Sequence, residues 1–114
     1  MLYNFIMKFH VLISEEYEKF INGKNVTLQQ QKILDAKIKV LSEIGKNWNA
    51  VYELKGTLAE GLFRLEYSRF RIIFFFGNNN DIIICNAFIE KNKSDYAKYI
   101  HHAQKMRKEY YNET

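Results

Sequence analysis

Apolar residues alternate imperfectly from Leu2 to Leu12, with Tyr3, Phe5, Met7, Phe9 and Val11 on one parity. That pattern predicts a first strand with this parity toward the core. Ser14 followed by Glu15 and Glu16 marks a short helix, because carboxylates favour the positive end of the helix dipole, and Gly23 marks its stop. Thr27, Leu28, Gln29 and Gln30 fit capping-box spacing. Leu34, Ile38 and Leu41, flanked by Ile33, Val40 and Ile44, then form the stripe of a longer amphipathic helix ending near Gly45. Beyond Trp48 the period falls to two, through Val51 to Leu54, Leu62 to Tyr67, Phe70 to Phe76 and Ile82 to Phe88, each bounded by Gly, Asn or Ser. Gly77 to Asp81 supplies residues that tolerate positive φ and predicts a hairpin loop between the two most apolar strands. Ser94 and Asp95 open a last helix with Tyr99, Ala103, Met106 and Tyr110 on one stripe. The fold class is therefore α+β: an N-terminal strand, two helices, then a twisted, mainly antiparallel sheet with a C-terminal helix.

Register decides which side chains share a face. A turn centred between Ser68 and Arg69 sets Glu66 opposite Arg71, with Arg64 two residues away on the same face. Phe63, Leu65, Phe70, Ile72 and Phe74 then fill the core. If the five-residue loop makes Phe76 and Ile82 neighbours, Arg71 falls opposite Ala87, and the small residue leaves room for a ligand. In extended chain the parity Ala87, Ile89, Lys91, Lys93 carries two more cations past the strand end on that side. A slip of one residue would reverse every one of these assignments.

Composition narrows the class. The chain has 114 residues, the size of one domain, and 47% of them are hydrophobic, so it can bury one core and is not intrinsically disordered. We read residues 1–114 as a single domain. No apolar run approaches a membrane span and no cleavable signal pattern opens the chain, which predicts a cytoplasmic protein. Cys85, the only cysteine, sits within the apolar run Ile82 to Ala87, which predicts a buried, inert thiol and leaves no thiolate set for zinc. The net charge is +4, and its location matters more than its size. Lys91, Lys93, Lys98, Lys105, Arg107 and Lys108 against Asp95 alone give +5 between Lys91 and Lys108. His101 and His102 are adjacent on a helix and point about 100° apart, too divergent to chelate one metal. There is no Gly-rich phosphate loop, HExxH or GxSxG, which leaves catalysis without metal or cofactor. The plain alternative is that Glu66 and Arg71 form only a cross-strand ion pair, that Arg64, Lys91 and Lys93 are solvated charges, and that the tyrosines pack.

The order of these motifs resembles the RelE/ParE superfamily of toxins, most of all its HigB-like members, including the phage-derived branch. The residues that carry the resemblance are Leu54, Lys55 and Gly56, then Gly61 to Glu66, then Phe70 to Phe75, the Asn-rich turn, Ile82 to Phe88, and Glu90 to Ser94 with Lys91 and Lys93. The resemblance spans nearly the whole chain, including the first strand and two leading helices. It implies a RelE-like toxin of a type II toxin–antitoxin pair, a ribosome-dependent messenger RNA interferase. Such an enzyme attacks a phosphate with the adjacent ribose 2′-hydroxyl, leaving a cyclic phosphate and a free 5′-hydroxyl. Arg71 would stabilise the transition state, since a guanidinium binds two phosphate oxygens at once, and Arg64 would assist. Lys91 and Lys93 would neutralise charge or protonate the leaving oxygen. Tyr96 would stack on a base, and Lys55, Lys105, Arg107 and Lys108 would attract RNA.

The implied partners are the ribosome, messenger RNA and a cognate antitoxin, a HigA-like helix-turn-helix protein, with no membrane and no small-molecule cofactor. Two features depart from the family pattern. Glu66 replaces an arginine often found in that strand, and Lys91 and Lys93 stand where many relatives have arginine; a lysine cannot reproduce bidentate phosphate binding. Two other readings stay open: a ParE-like DNA gyrase inhibitor, and a non-toxic phage-derived RNA- or ribosome-binding module.

Overall fold

A computed structural model describes residues 8–111 of the chain. In chain order the elements are β1 (His10–Ile13), α1 (Glu15–Ile21), α2 (Leu28–Ile44), β2 (Tyr52–Glu53), β3 (Phe63–Tyr67), β4 (Phe70–Phe76), β5 (Asp81–Ile89) and α3 (Asp95–Tyr110). Single 3-10 turns occupy Gly45–Asn47 and Thr57–Ala59. The order and types match the sequence reading. The first strand is the one element displaced, beginning at His10; residues 2–7 of the expected strand lie outside the described residues.

Local signals account for the helix starts. Ser14 Oγ accepts a hydrogen bond from the Tyr17 N–H, and Thr27 and Gln30 close a full capping box with reciprocal bonds of 3.1 and 2.9 Å. Gly45, at φ 77°, ends α2 where a Cβ would stand 2.3 Å from the Phe9 ring, so only glycine fits. α3 starts differently from expectation. Ser94 makes no side-chain cap, and Asp95 instead turns its carboxylate back to accept the Lys91 and Asn92 N–H groups at 2.8 and 3.0 Å. Those bonds hold the Asp95 carboxyl below its ordinary pKa.

The sheet order is β1-β5-β4-β3-β2, with β1 parallel to β5 and every other pair antiparallel. β4 and β5 read as nearly unbroken apolar runs because helices cover both faces. On one face Leu34, Ile38 and Leu41 of α2, with Tyr17 and Ile21 of α1, pack against Phe63, Leu65, Phe70, Ile72 and Phe74, the five residues expected there. On the other, Ala103 of α3, with Tyr99, Met106 and Tyr110 of its stripe, covers Ile73, Phe75, Cys85 and Phe88. Burial raises the Cys85 thiol pKa well above its ordinary value, which keeps it protonated and unreactive.

One interruption of the ladder changes the face of every residue beyond it. The loop behaves as expected, with Phe76 opposite Ile82, but Phe74 pairs with Ile84 while Ile73 pairs with Asn86. Cys85 is the extra residue of a β-bulge, and Ser14 Oγ donates to its carbonyl. Arg71 therefore lies opposite Phe88, not Ala87. Ala87 and Ile89 turn to the α1–α2 face, so the expected opening beside Arg71 is filled by an aromatic ring. After the bulge Asn86 donates to the Tyr99 carbonyl at 3.0 Å and meets His102 Nδ1 at 2.8 Å, tying the strand to α3.

Phe74→Ala should lower stability in urea unfolding by about 3–5 kcal/mol, the cost of a cavity at a fully buried aromatic position.

Candidate functional site

Arg64, Glu66 and Arg71 share the α3-facing side of the β3–β4 hairpin, and Glu66 pairs directly with Arg71 as the sequence predicts. Glu66 Oε2 lies 3.4 Å from Arg64 Nη2 and 3.5 Å from Arg71 Nε, so one carboxylate sits between two guanidiniums. Glu90 approaches from the end of β5, with Oε1 3.4 Å from Arg71 Nε. Arg71 is the least accessible of the four, its side chain 14% exposed against 30% for Arg64 and 38% for Glu66. Its Nη1 donates to the Ser68 and Phe70 carbonyls at 2.8 and 2.9 Å, fastening it to the tight turn in which Ser68 takes φ 53°. Among the described residues, neither arginine's buried Nε has an acceptor in hydrogen-bond geometry, so the pull of the carboxylates on Arg71 Nε is Coulombic.

Arg64 has a second set of contacts. Its guanidinium lies 5.1 Å from the Tyr52 ring and 5.8 Å from the Tyr96 ring, and its Nη1 donates to the Tyr96 hydroxyl at 3.3 Å. Tyr52 comes from the strand paired with Arg64 itself. Burial raises the Tyr96 pKa; the Arg64 charge opposes that shift and Glu90 reinforces it. The phenol therefore stays protonated at neutral pH, with its hydroxyl as a hydrogen-bond donor. Two cations and two carboxylates leave the cluster with no formal charge.

The other expected site residues fall elsewhere. Lys91 and Lys93 lie in the turn after β5, which ends at Ile89, and the bulge has already reversed the parity that was to align them with Arg71. Lys91 instead lines a depression with Lys98, Phe20 and Asn25. Among the described residues no ion pair or hydrogen bond joins either lysine's side chain to the arginine cluster. Lys55, Lys105 and Lys108 line a groove between the 55–59 segment and α3. Arg107 is partly packed, over the Tyr111 ring at 5.5 Å and against Gly61, where a Cβ would meet its Nε at 2.6 Å. Sequence reasoning missed Glu90 and Tyr52. Tyr52 becomes visible once β2 is registered on β3; Glu90 carries no signal, because its face depends on the bulge.

No protein-family model matches the chain, and no curated protein matches it. Solved structures do. A chain of the RelBE2 toxin–antitoxin complex from Mycobacterium tuberculosis superposes with a TM-score of 0.58 at 12% identity, covering 73% of this chain and 99% of that one. A chain of the archaeal RelE–RelB complex from Pyrococcus horikoshii OT3 gives 0.60 at 16% identity, covering 75% and 99%. The fold is RelE-like. A RelE-like arrangement fixes where strands and helices run, while the chemistry rests on the side chains described above. Among the described residues no helix is long and apolar enough to cross a membrane.

Arg71→Ala should cost about 1–3 kcal/mol in urea unfolding, less than a fully buried pair because Glu66 is partly solvated. Arg71→Lys should recover only part of that loss, since one ammonium cannot reach both carbonyls and both carboxylates. Ultraviolet difference titration of the wild type against Tyr96→Phe should place the Tyr96 ionisation above that of exposed tyrosines. Because the folded-state value is the raised one, its stabilising contribution holds below the ordinary phenol pKa and is lost as pH rises through the shifted value.

Proposed function

We propose that the chain is the toxin of a type II toxin–antitoxin pair and that it cuts messenger RNA on the ribosome. The RelE-like fold supports this reading, as does the origin of both matched structures in toxin–antitoxin complexes. The observation that carries it is the Glu66 carboxylate held between Arg64 and Arg71, with the Tyr96 phenol on Arg64. In the proposed reaction Glu66 takes the proton of the ribose 2′-hydroxyl, and the 2′-oxygen bonds to phosphorus. The bond to the 5′-oxygen breaks as Tyr96 supplies its proton. The products are a 2′,3′-cyclic phosphate and a free 5′-hydroxyl.

The neutral charge of the cluster suits this sequence of events. While Glu66 is ionised, both guanidiniums are engaged. Once it accepts the proton they lose a counterion as negative charge builds on the phosphorane, so the attraction is strongest in the transition state. Arg64, more exposed than Arg71, is the first phosphate contact, and Arg71 backs it. Lys91, Lys93, Lys55, Lys105, Arg107 and Lys108 supply long-range attraction to ribosomal and messenger RNA. The proposed antitoxin is a HigA-like helix-turn-helix protein.

The same neutrality favours one other reading, in which the fold binds without cutting, as in a ParE-like gyrase inhibitor. Primer extension on messenger RNA after induction separates the two. Codon-phased breaks support the nuclease, and gyrase-dependent DNA breaks without RNA cleavage would sink it. Glu66→Gln and Arg64→Ala should each slow cleavage by about 100-fold or more, measured on programmed ribosomes with the fold checked by circular dichroism.

A further inference from the structure

The 55–59 segment and α3 bound a groove of ≈ 800 Å³ that shares no residue with the arginine cluster. Its apolar lining is aliphatic, with Leu58, Ala97 and Ile100, and Leu58 is 82% exposed. A single exposed leucine is ordinary, whereas one beside a continuous apolar trough marks a contact surface. Lys55, Lys105 and Lys108 also line the groove, and among the described residues no carboxylate does. The walls are fixed before any partner arrives. Gln104 Nε2 donates to the Leu58 carbonyl at 3.1 Å and the Glu60 carbonyl at 3.0 Å, tying the 3-10 turn to α3. A preformed groove avoids the ordering cost of binding.

We propose that this groove docks an amphipathic helix of a partner protein, its aliphatic stripe on Leu58, Ala97 and Ile100 and its carboxylates on the three lysines. Charge complementarity selects the partner's acidity, since every formally charged side chain of the lining is a cation. Lys105 and Lys108 are three residues apart on α3, so they stand on one face and match carboxylates at helical spacing on a neighbouring helix. Ala97 is small enough to let a second helix approach α3 closely. Single-stranded RNA would use the same lysines, but base recognition relies on aromatic rings or guanidinium planes, and the groove offers only the His101 imidazole against the aliphatic run of Leu58, Ala97 and Ile100. Aliphatic anchors at i, i+3, i+4 and i+7 are what a helix in a groove provides. The docking stands whether or not the chain cuts RNA, because the two sites are separate.

The test is a selection of random peptides displayed on phage against the full chain, with counter-selection on Leu58→Asp. That side chain is exposed, so the substitution leaves the fold intact, which thermal unfolding verifies. Enriched peptides should carry aliphatic residues at helical spacing flanked by Glu or Asp. Synthetic copies should lose about tenfold or more in affinity to Leu58→Asp, as for a central anchor, and should also weaken with Lys105→Glu paired with Lys108→Glu. The proposal is overturned if no peptide discriminates Leu58→Asp or if the enriched sequences lack that pattern. Photocrosslinking of single-stranded RNA to the groove in a Leu58-dependent manner would overturn it as well, as would a dimer of this chain that Leu58→Asp dissociates.

Discussion

The pairing of β4 with β5, and the extra residue at Cys85 within it, sets the position of everything that carries charge on the α3 side of the sheet. The two strands are buried on both faces, so their side chains have no freedom to exchange sides without exposing a core. Cys85 breaks the alternation once, in the middle. Cys85 and Asn86 both serve the α3 face, after which Ala87 returns to the α1–α2 core and Phe88 to the α3 core. The consequence two residues further on is that Glu90 meets Arg71. Without the bulge the strand would present Ala87 to Arg71, as simple alternation predicts, and of its two carboxylate neighbours the arginine would keep Glu66 but lack Glu90. The Ser14 hydroxyl, already capping α1, also reaches the Cys85 carbonyl, so the bulge is held by the start of the helix that follows β1.

Burial of Arg71 explains why the cluster is neutral. A guanidinium withdrawn this far from water requires counterions and acceptors around it, and two carbonyls and two carboxylates supply them. Arg64 is less buried and is held by softer contacts, two aromatic rings and one phenol oxygen. In the proposed reaction the two arginines would therefore differ in what they give a phosphate. Arg71 is preorganised and costly to move, whereas Arg64 can turn toward a ligand while Glu66 remains beside it.

Much of the architecture was legible in the residues. Period-two runs located β3, β4 and β5 because strands buried on one or both faces must place β-branched and aromatic residues at fixed parity. Thr27 and Gln30 announced α2 through a bond pattern local enough to be read without tertiary structure. The short Ser68–Arg69 turn gave the Glu66–Arg71 pair correctly, since a tight turn leaves one register. The relation of Arg71 to Lys91 and Lys93 was not legible, because a bulge is chosen by packing on both faces and leaves no periodic mark, and because the chain turns after Ile89. Glu90 and Tyr52 were missed for related reasons: each becomes a site residue only through a neighbour on another strand. The family resemblance anticipated the fold, but with lysines in place of arginines in the Glu90–Ser94 segment it could not say where their charge would sit.

The division of labour between the cations follows from their chemistry. Arginine is weakly hydrated and planar, so it tolerates partial burial against aromatic rings and carboxylates, while lysine keeps a tightly held water shell and stays at the surface. Since Arg64, Arg71, Glu66 and Glu90 cancel, the whole formal surplus of +4 resides outside the cluster. Attraction of a polyanion or an acidic segment would then fall to the outlying cations, most of them lysines, and would be sensitive to salt. In the proposed reaction, discrimination of the bound group would fall to the partly buried arginines, which solvent screens less. On the proposed reading an approaching anion would be gathered by one set and examined by the other, and an acidic helix lying on Lys55, Lys105 and Lys108 would weaken the gathering without touching the arginines at all.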